Sequence, residues 1–196
     1  MASALLLSAC GGTTVSFEEL QERGANYLVA IDDDSFSSGA DTRFEDTPMS
    51  DEAGYTGIAF VGLVSEFDRN LRFLSVGSTT MVANYEEQSI RGSADNFYEI
   101  SGFLPDSLEG ETGEAIAGNM TYEFVRDESR ASADEIPPIG FVGGFAGSIN
   151  PSTLDEFEFD VEGNGRYVGS GAVGFEASSF SDNGIDPYVY VYTLKD

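Results

Sequence analysis

Histidine and tryptophan are both absent from the 196 residues, and cysteine occurs once. Without histidine, the usual general base, the usual nitrogen ligand for a metal and every Ser-His or Cys-His pair are gone. A lone cysteine excludes an internal disulfide and a thiolate zinc site. Basic residues are scarce: 9 Lys and Arg stand against 35 Asp and Glu, a formal net charge of -26. Binding nucleic acid takes a Lys/Arg footprint to displace counterions from phosphates, so the balance argues against nucleic acid as a partner. Anionic membrane surfaces are repelled for the same reason.

What is present is enough for a core. Apolar residues make up 41% of the chain, and 15 Phe and 9 Tyr are among them. The length suits one domain of ordinary size. Glycine, at 23 residues, is abundant without a collagen period. That abundance implies many turns and bulges, hence many short strands.

The chain opens with a short apolar and small-residue run, Met1 to Cys10, ending at the only cysteine. It is far shorter than the roughly 20 residues that span a bilayer. It reads as the end of a secretory signal. Leu7-Ser8-Ala9-Cys10 resembles the bacterial lipobox, in which the bond before the cysteine is cut and the cysteine carries the lipid. Gly11 to Thr14 then form a small flexible tether. A signal also needs a basic n-region, yet no Lys or Arg precedes Leu5 and the first basic residue is Arg23. The expectation is a translation start upstream of Met1.

One helix is predicted, from Ser16 to Ile31. Ser16 and Glu19 fit a capping box, and Glu18, Glu19 and Glu22 suit the positive end of the helix dipole. Phe17, Leu20, Tyr27, Leu28 and Ile31 share a face at helical spacing, while Gly24 weakens the helix. From residue 32 to 54 the chain is acidic and poor in large apolar residues, which predicts a loop or irregular wrap.

From Tyr55 onward the period is two. Candidate strands are Gly57 to Val64, Thr79 to Tyr85, Gln88 to Phe97, Ile116 to Phe124, Phe141 to Gly147, Phe157 to Val161, Tyr167 to Phe175 and Tyr188 to Leu194. Glu86-Glu87, Glu162-Gly163-Asn164-Gly165 and Ser181-Asp182-Asn183-Gly184 look like turns between them. The fold class is mainly β: an antiparallel eight-stranded small barrel preceded by a short N-terminal α-helix. The organisation expected is a signal remnant over 1–9, a lipidated tether over 10–15, helix and acidic loop over 16–54, and the barrel over 55–196.

Three stretches then carry a family resemblance. Met81-Val82-Ala83-Asn84-Tyr85 runs through a turn into Ile90-Arg91-Gly92-Ser93-Ala94-Asp95-Asn96-Phe97. Gly140-Phe141-Val142-Gly143-Gly144-Phe145-Ala146-Gly147 and Gly169-Ser170-Gly171-Ala172-Val173-Gly174-Phe175 repeat a Gly-aromatic pattern. With the lipobox and helix before them, they resemble the transferrin-binding-protein-like lipoproteins of Gram-negative bacteria, in particular small single-barrel members. The resemblance implies a barrel that presents loops to a protein or small ligand, anchored in the cell envelope by a lipid. It covers residues 55 to 196 at the level of pattern. No binding loop matches residue by residue, so transferrin binding is not carried over.

Few constellations bear on chemistry. Asp160, Glu162 and Asn164 place oxygen side chains at alternate positions around glycine. They are weak calcium candidates, set against a solvated hairpin on an acidic protein, and they lack the downstream glutamate of an EF-hand loop. Tyr188, Tyr190 and Tyr192 line one strand face, as packing or as a partner platform. Glycine-rich stretches lack a following Walker lysine, and no catalytic set is found. The reading is a bacterial envelope lipoprotein, anchored through Cys10 in the outer membrane and facing either the periplasm or the surface. It acts as a non-catalytic binding module for a protein or small ligand, with no cofactor beyond the covalent lipid. Gly11 after the cysteine, in place of the aspartate that retains lipoproteins in the inner membrane of enteric bacteria, favours the outer membrane. The alternative is a structural envelope lipoprotein without a specific ligand, its acidity serving solubility.

Overall fold

The computed structural model describes residues 14–32, 48, 50–64, 71–100, 108–127, 140–169, 171–179 and 187–196. A helix, α1 (Phe17–Asp32), precedes nine strands: β1 (Glu52–Val64), β2 (Leu71–Asn84), β3 (Ser89–Ile100), β4 (Gly113–Ala115), β5 (Gly118–Arg126), β6 (Gly140–Ile149), β7 (Phe157–Val168), β8 (Gly174–Ser179) and β9 (Tyr188–Lys195). The sheet order is β2-β1-β9-β8-β7-β6-β5-β3-β4, and β2 also pairs with β3. That pairing closes eight strands into an antiparallel up-and-down barrel, with the three-residue β4 appended to the edge of β3. The expected fold class is the observed one.

The N-terminal helix starts where its capping residues place it. The Glu19 amide donates to the Ser16 hydroxyl at 3.2 Å, and the Leu20 amide to the Ser16 carbonyl at 3.1 Å. Leu20 and Tyr27 are buried as expected, but Leu28 is 36% exposed. The buried face runs through Gly24 instead. A Cβ there would stand 3.3 Å from Ile58 Cδ1, so the residue that weakens the helix is where it comes close to β1.

Alternation fills the inside. Ala53, Tyr55, Ala59 and Val61 of β1 point inward with Phe124 of β5, Phe141 and Phe145 of β6, Tyr167 of β7 and Phe175 of β8. Ile58 and Phe60 of β1 point outward with Leu74 and Val76 of β2 and Ile100 of β3, forming a second core with Leu20 of α1 and Leu108. β3 feeds both cores. Its register against β2 slips between Val76 and Ser78, where Asn96 takes a φ of +51°. This bulge inverts the strand's parity. Ile90 and Ala94 therefore face the interior before it and Phe97 after it, while Ile100 joins the outer core.

Two expected boundaries are corrected. Glu162-Gly163-Asn164-Gly165 is not a turn: Glu162 pairs with Gly144 and Gly165 with Phe141, deep inside the β6–β7 ladder. The glycines make room for rings. A Cβ on Gly163 would lie 2.7 Å from the Phe145 ring, and one on Gly165 2.4 Å from the Phe175 ring. Conversely, Tyr167 to Phe175 is not one strand. β7 ends at Val168, and Gly169, Gly171 and Ala172, all at positive φ, carry the turn into β8. The Glu86-Glu87 turn is present between β2 and β3, held by the Glu87 amide on Asn84 Oδ1 at 2.8 Å. β1 begins earlier and β2 much earlier than expected, and β4 was not foreseen. The turn expected at Ser181 to Gly184 and most of the acidic wrap lie outside the described residues.

Candidate functional site

The outer wall has two unlike sides. On the first, α1 packs over β1, β2 and β9. Tyr188, Tyr190 and Tyr192 stand on the outer face of β9 and continue into Tyr27 of the helix. The ring centroids are 4.2, 6.1 and 4.9 Å apart in turn. The Tyr27 hydroxyl donates to the Glu176 carboxylate, which also accepts from Arg166 at 3.0 and 3.1 Å. Gln21 Nε2 donates to the carbonyls of Leu108 and Glu111, and Arg23 to the Ser78 hydroxyl at 2.8 Å. Burial, then the Glu176 charge, pushes the Tyr27 hydroxyl far up. Burial, with help from Glu176, pushes Tyr192 up to about 12. Such hydroxyls stay protonated at neutral pH and act as donors, not bases. Tyr190 and Tyr192 thus pack on the outer core, and Tyr192 meets the helix through Tyr27.

The second side is formed by β5, β6 and β7. The outward positions of β6 are Gly140, Val142, Gly144, Ala146 and Ser148, all small apart from Val142. β7 opposes them with Glu158, Asp160 and Glu162, all exposed. Small residues beside long ones leave a groove of about 500 Å³ lined by Asn119, Gly147, Ser148, Glu158, Phe159 and Asp160. Two carboxylates near this side meet a cation: Glu123 of β5 meets Arg91 at 3.0 Å, and Glu176 of β8 meets Arg166 of β7 at 3.0 Å. Among the described residues, Glu158, Asp160 and Glu162 have no such cation.

β7 also outruns β8. Residues Phe157 to Arg166 pair with β6, whereas pairing with β8 begins only at Gly163. The stretch Phe157 to Glu162 is therefore bonded on one side and, among the described residues, meets no strand on the other. Of its inward side chains, Phe159 belongs to the inner core, and Phe157 and Val161 to its fringe. The Phe157 ring lies 5.5 Å from Phe73 and 6.1 Å from Phe159.

The opposite end of the barrel is closed by tyrosines. The Tyr55 hydroxyl meets that of Tyr85 at 2.7 Å and the Ala172 carbonyl at 2.6 Å. Lys195 Nζ sits 5.5 Å from the Tyr85 ring centre. The Tyr167 hydroxyl beside them is buried and has no partner among the described residues.

Of the residues singled out by sequence, Cys10 lies outside the described residues. Asp160, Glu162 and Asn164 stand at alternate outward positions of one continuous strand, not around a hairpin loop. Among the described residues, no group of three or more His, Cys, Asp or Glu side chains could hold a metal ion. The groove and the unpaired strand edge were missed. The one signal in the sequence was the unbroken acidic alternation at Glu156, Glu158, Asp160 and Glu162.

No family model matches the chain, and no curated protein matches it. Among solved structures it is similar to two variants of the vaccine antigen transferrin binding protein B from Haemophilus parasuis Hp5. Identity is 14% to each, with TM-scores of 0.43 and 0.44. The matches cover 80% and 79% of this chain but only 28% and 27% of those proteins, so it spans little more than a quarter of their length.

Proposed function

We propose that this chain is a non-catalytic binding module of the bacterial cell envelope, held at the membrane by a lipid on Cys10. Its working surface is the outer face of β5, β6 and β7. The observation that carries the reading is the contrast between the two sides of the barrel. One side is sealed by α1 through apolar burial and side-chain hydrogen bonds. The other carries a groove and three exposed carboxylates without cations among the described residues. Interior positions are taken by large aromatics, which directs binding to the outer wall. The strongly shifted groups are tyrosines held protonated, which suits structure better than proton transfer. The lipobox-like Leu7-Ser8-Ala9-Cys10 supports the anchor.

Two experiments test the reading. Cells expressing the chain behind a complete lipoprotein signal peptide are fractionated, beside a Cys10→Ala strain. The wild type is expected in the membrane fraction and the variant in the soluble fraction; equal solubility overturns the anchor. A photo-crosslinking residue placed at Ser148 is expected to trap a discrete envelope partner, and Asp160→Lys to abolish the adduct. An adduct pattern identical to that from a crosslinker at Val29 favours the structural reading without a specific ligand.

A further inference from the structure

We infer that the unpaired edge of β7, Phe157 to Glu162, receives an added strand from a partner protein, an extended segment in which basic and apolar residues alternate. The inference rests on the binding reading above and names the chemistry of its partner.

Three observations converge on these six residues. The first is the backbone. β6 satisfies one side through the Gly144–Glu162 to Ile149–Phe157 pairs, and among the described residues the pairing with β8 reaches only to Gly163, opposite Ser179. The amides and carbonyls directed away from β6 have no strand partner among the described residues. An open edge of this kind is a template for a further strand.

The second is charge. Glu158, Asp160 and Glu162 occupy successive outward positions, all exposed, with no cation against them among the described residues. On an added strand, the directly opposite side chains would lie roughly 4.5–5.5 Å from these three. Lys or Arg there gains three cross-strand pairs, whereas Asp or Glu is repelled. This decides against a second copy of the chain as occupant, because a net charge of -26 and an acidic row opposite an acidic row both oppose self-pairing.

The third is the inner face. Phe157 and Val161 are only partly buried, and Leu63, Ile116 and Leu154 pack beside the same core. Alternate residues of the added strand would point to this apolar fringe, which favours Val, Ile or Phe between the basic positions. Backbone bonds would supply affinity and the two alternating faces would supply selectivity.

The test uses the full chain and a fluorescent seven-residue peptide alternating valine with lysine or arginine. Controls are the same peptide with glutamate at the charged positions, and the basic peptide N-methylated at alternate backbone nitrogens. Fluorescence anisotropy at low salt is expected to show binding of the basic peptide, weakened at least about tenfold by high salt, and none of the acidic one. The triple variant Glu158→Lys, Asp160→Lys, Glu162→Lys should weaken binding at least about tenfold, as should N-methylation. In the wild type, hydrogen exchange of the 157–162 amides should slow when the peptide is added, a readout independent of how the triple variant folds. An N-methylated peptide that binds as tightly, or exchange unchanged at saturation, overturns strand addition while leaving the acidic binding face standing. A basic peptide that does not bind at all overturns both.

Discussion

Gly92 lies in the interior of β3 opposite Tyr122 of β5, and the ring of Tyr122 occupies the space a side chain would take. A methyl group at Gly92 would sit 2.2 Å from Tyr122 Cζ and 2.4 Å from its hydroxyl oxygen. Ordinary carbon contacts are about 3.5–4.0 Å, so the ring must retreat by more than an ångström. It has little room. Tyr122 is 3% exposed and packs against Phe124 and Phe145 at 6.2 and 5.9 Å. Moving it also breaks the 2.9 Å bond to the Thr79 hydroxyl. Overpacking costs about 1–3 kcal/mol and the hydrogen bond about 1, so Gly92→Ala is expected to cost about 2–4 kcal/mol. Tm should fall by roughly 5–15 °C. The backbone itself does not demand glycine, since Gly92 is not among the positive-φ positions. The cost therefore belongs to the ring, and a double-mutant cycle measured by urea unfolding separates the two. In a Tyr122→Leu background, Gly92→Ala should be near neutral, giving a coupling of about 2–3 kcal/mol. An equal loss in both backgrounds would assign the cost to the backbone of β3 instead of the Tyr122 ring.

Other outcomes follow from the same structure. Burial, aided at Tyr27 by Glu176 and at Tyr55 by Tyr85, holds the hydroxyls of Tyr27, Tyr55, Tyr122 and Tyr167 protonated well above the usual range. Raised folded values keep this stability whole below the unfolded pKa of about 10 and remove it as pH climbs toward them. Between pH 10 and 11 each tyrosine gives up about 1 kcal/mol, about 4 together, seen as a lower urea midpoint; an unchanged midpoint contradicts the burial argument. Leu20→Ala, at a position with 0% exposure, should cost about 2–5 kcal/mol and loosen α1, read as faster amide exchange along the helix. Asn96→Val places a β-branched residue at a φ of +51° and should cost about 1–2 kcal/mol, while Asn96→Gly is tolerated. Millimolar calcium should leave the thermal midpoint where chelator leaves it; a rise of several degrees would restore a site around Asp160 and Glu162.

The strand count, the period of two and the capped helix were readable because each depends on residues close together in the chain. Gly163 and Gly165 misled for an instructive reason. Glycine marks a turn when the backbone needs it, but here it marks the floor beneath Phe145 and Phe175, rings from other strands. The Asn96 bulge was hidden in the same way, since its effect shows only when Phe97 and Ile100 are assigned to different cores. Leu28 looked buried by helical spacing, yet the barrel meets α1 along Leu20, Gly24 and Tyr27.

An acidic, mainly antiparallel β domain with one helix in front was legible in the residues alone, because alternation and caps are local properties. So was the acidic row on β7. The packing of α1 over β1, β2 and β9, with no described element over β5, β6 and β7, came only from the tertiary structure. The tertiary structure likewise made Phe157 to Glu162 an edge. Among the described residues that edge arises because β7 pairs with β6 over a longer stretch than with β8, a mismatch between separate strands that appears only once they pair.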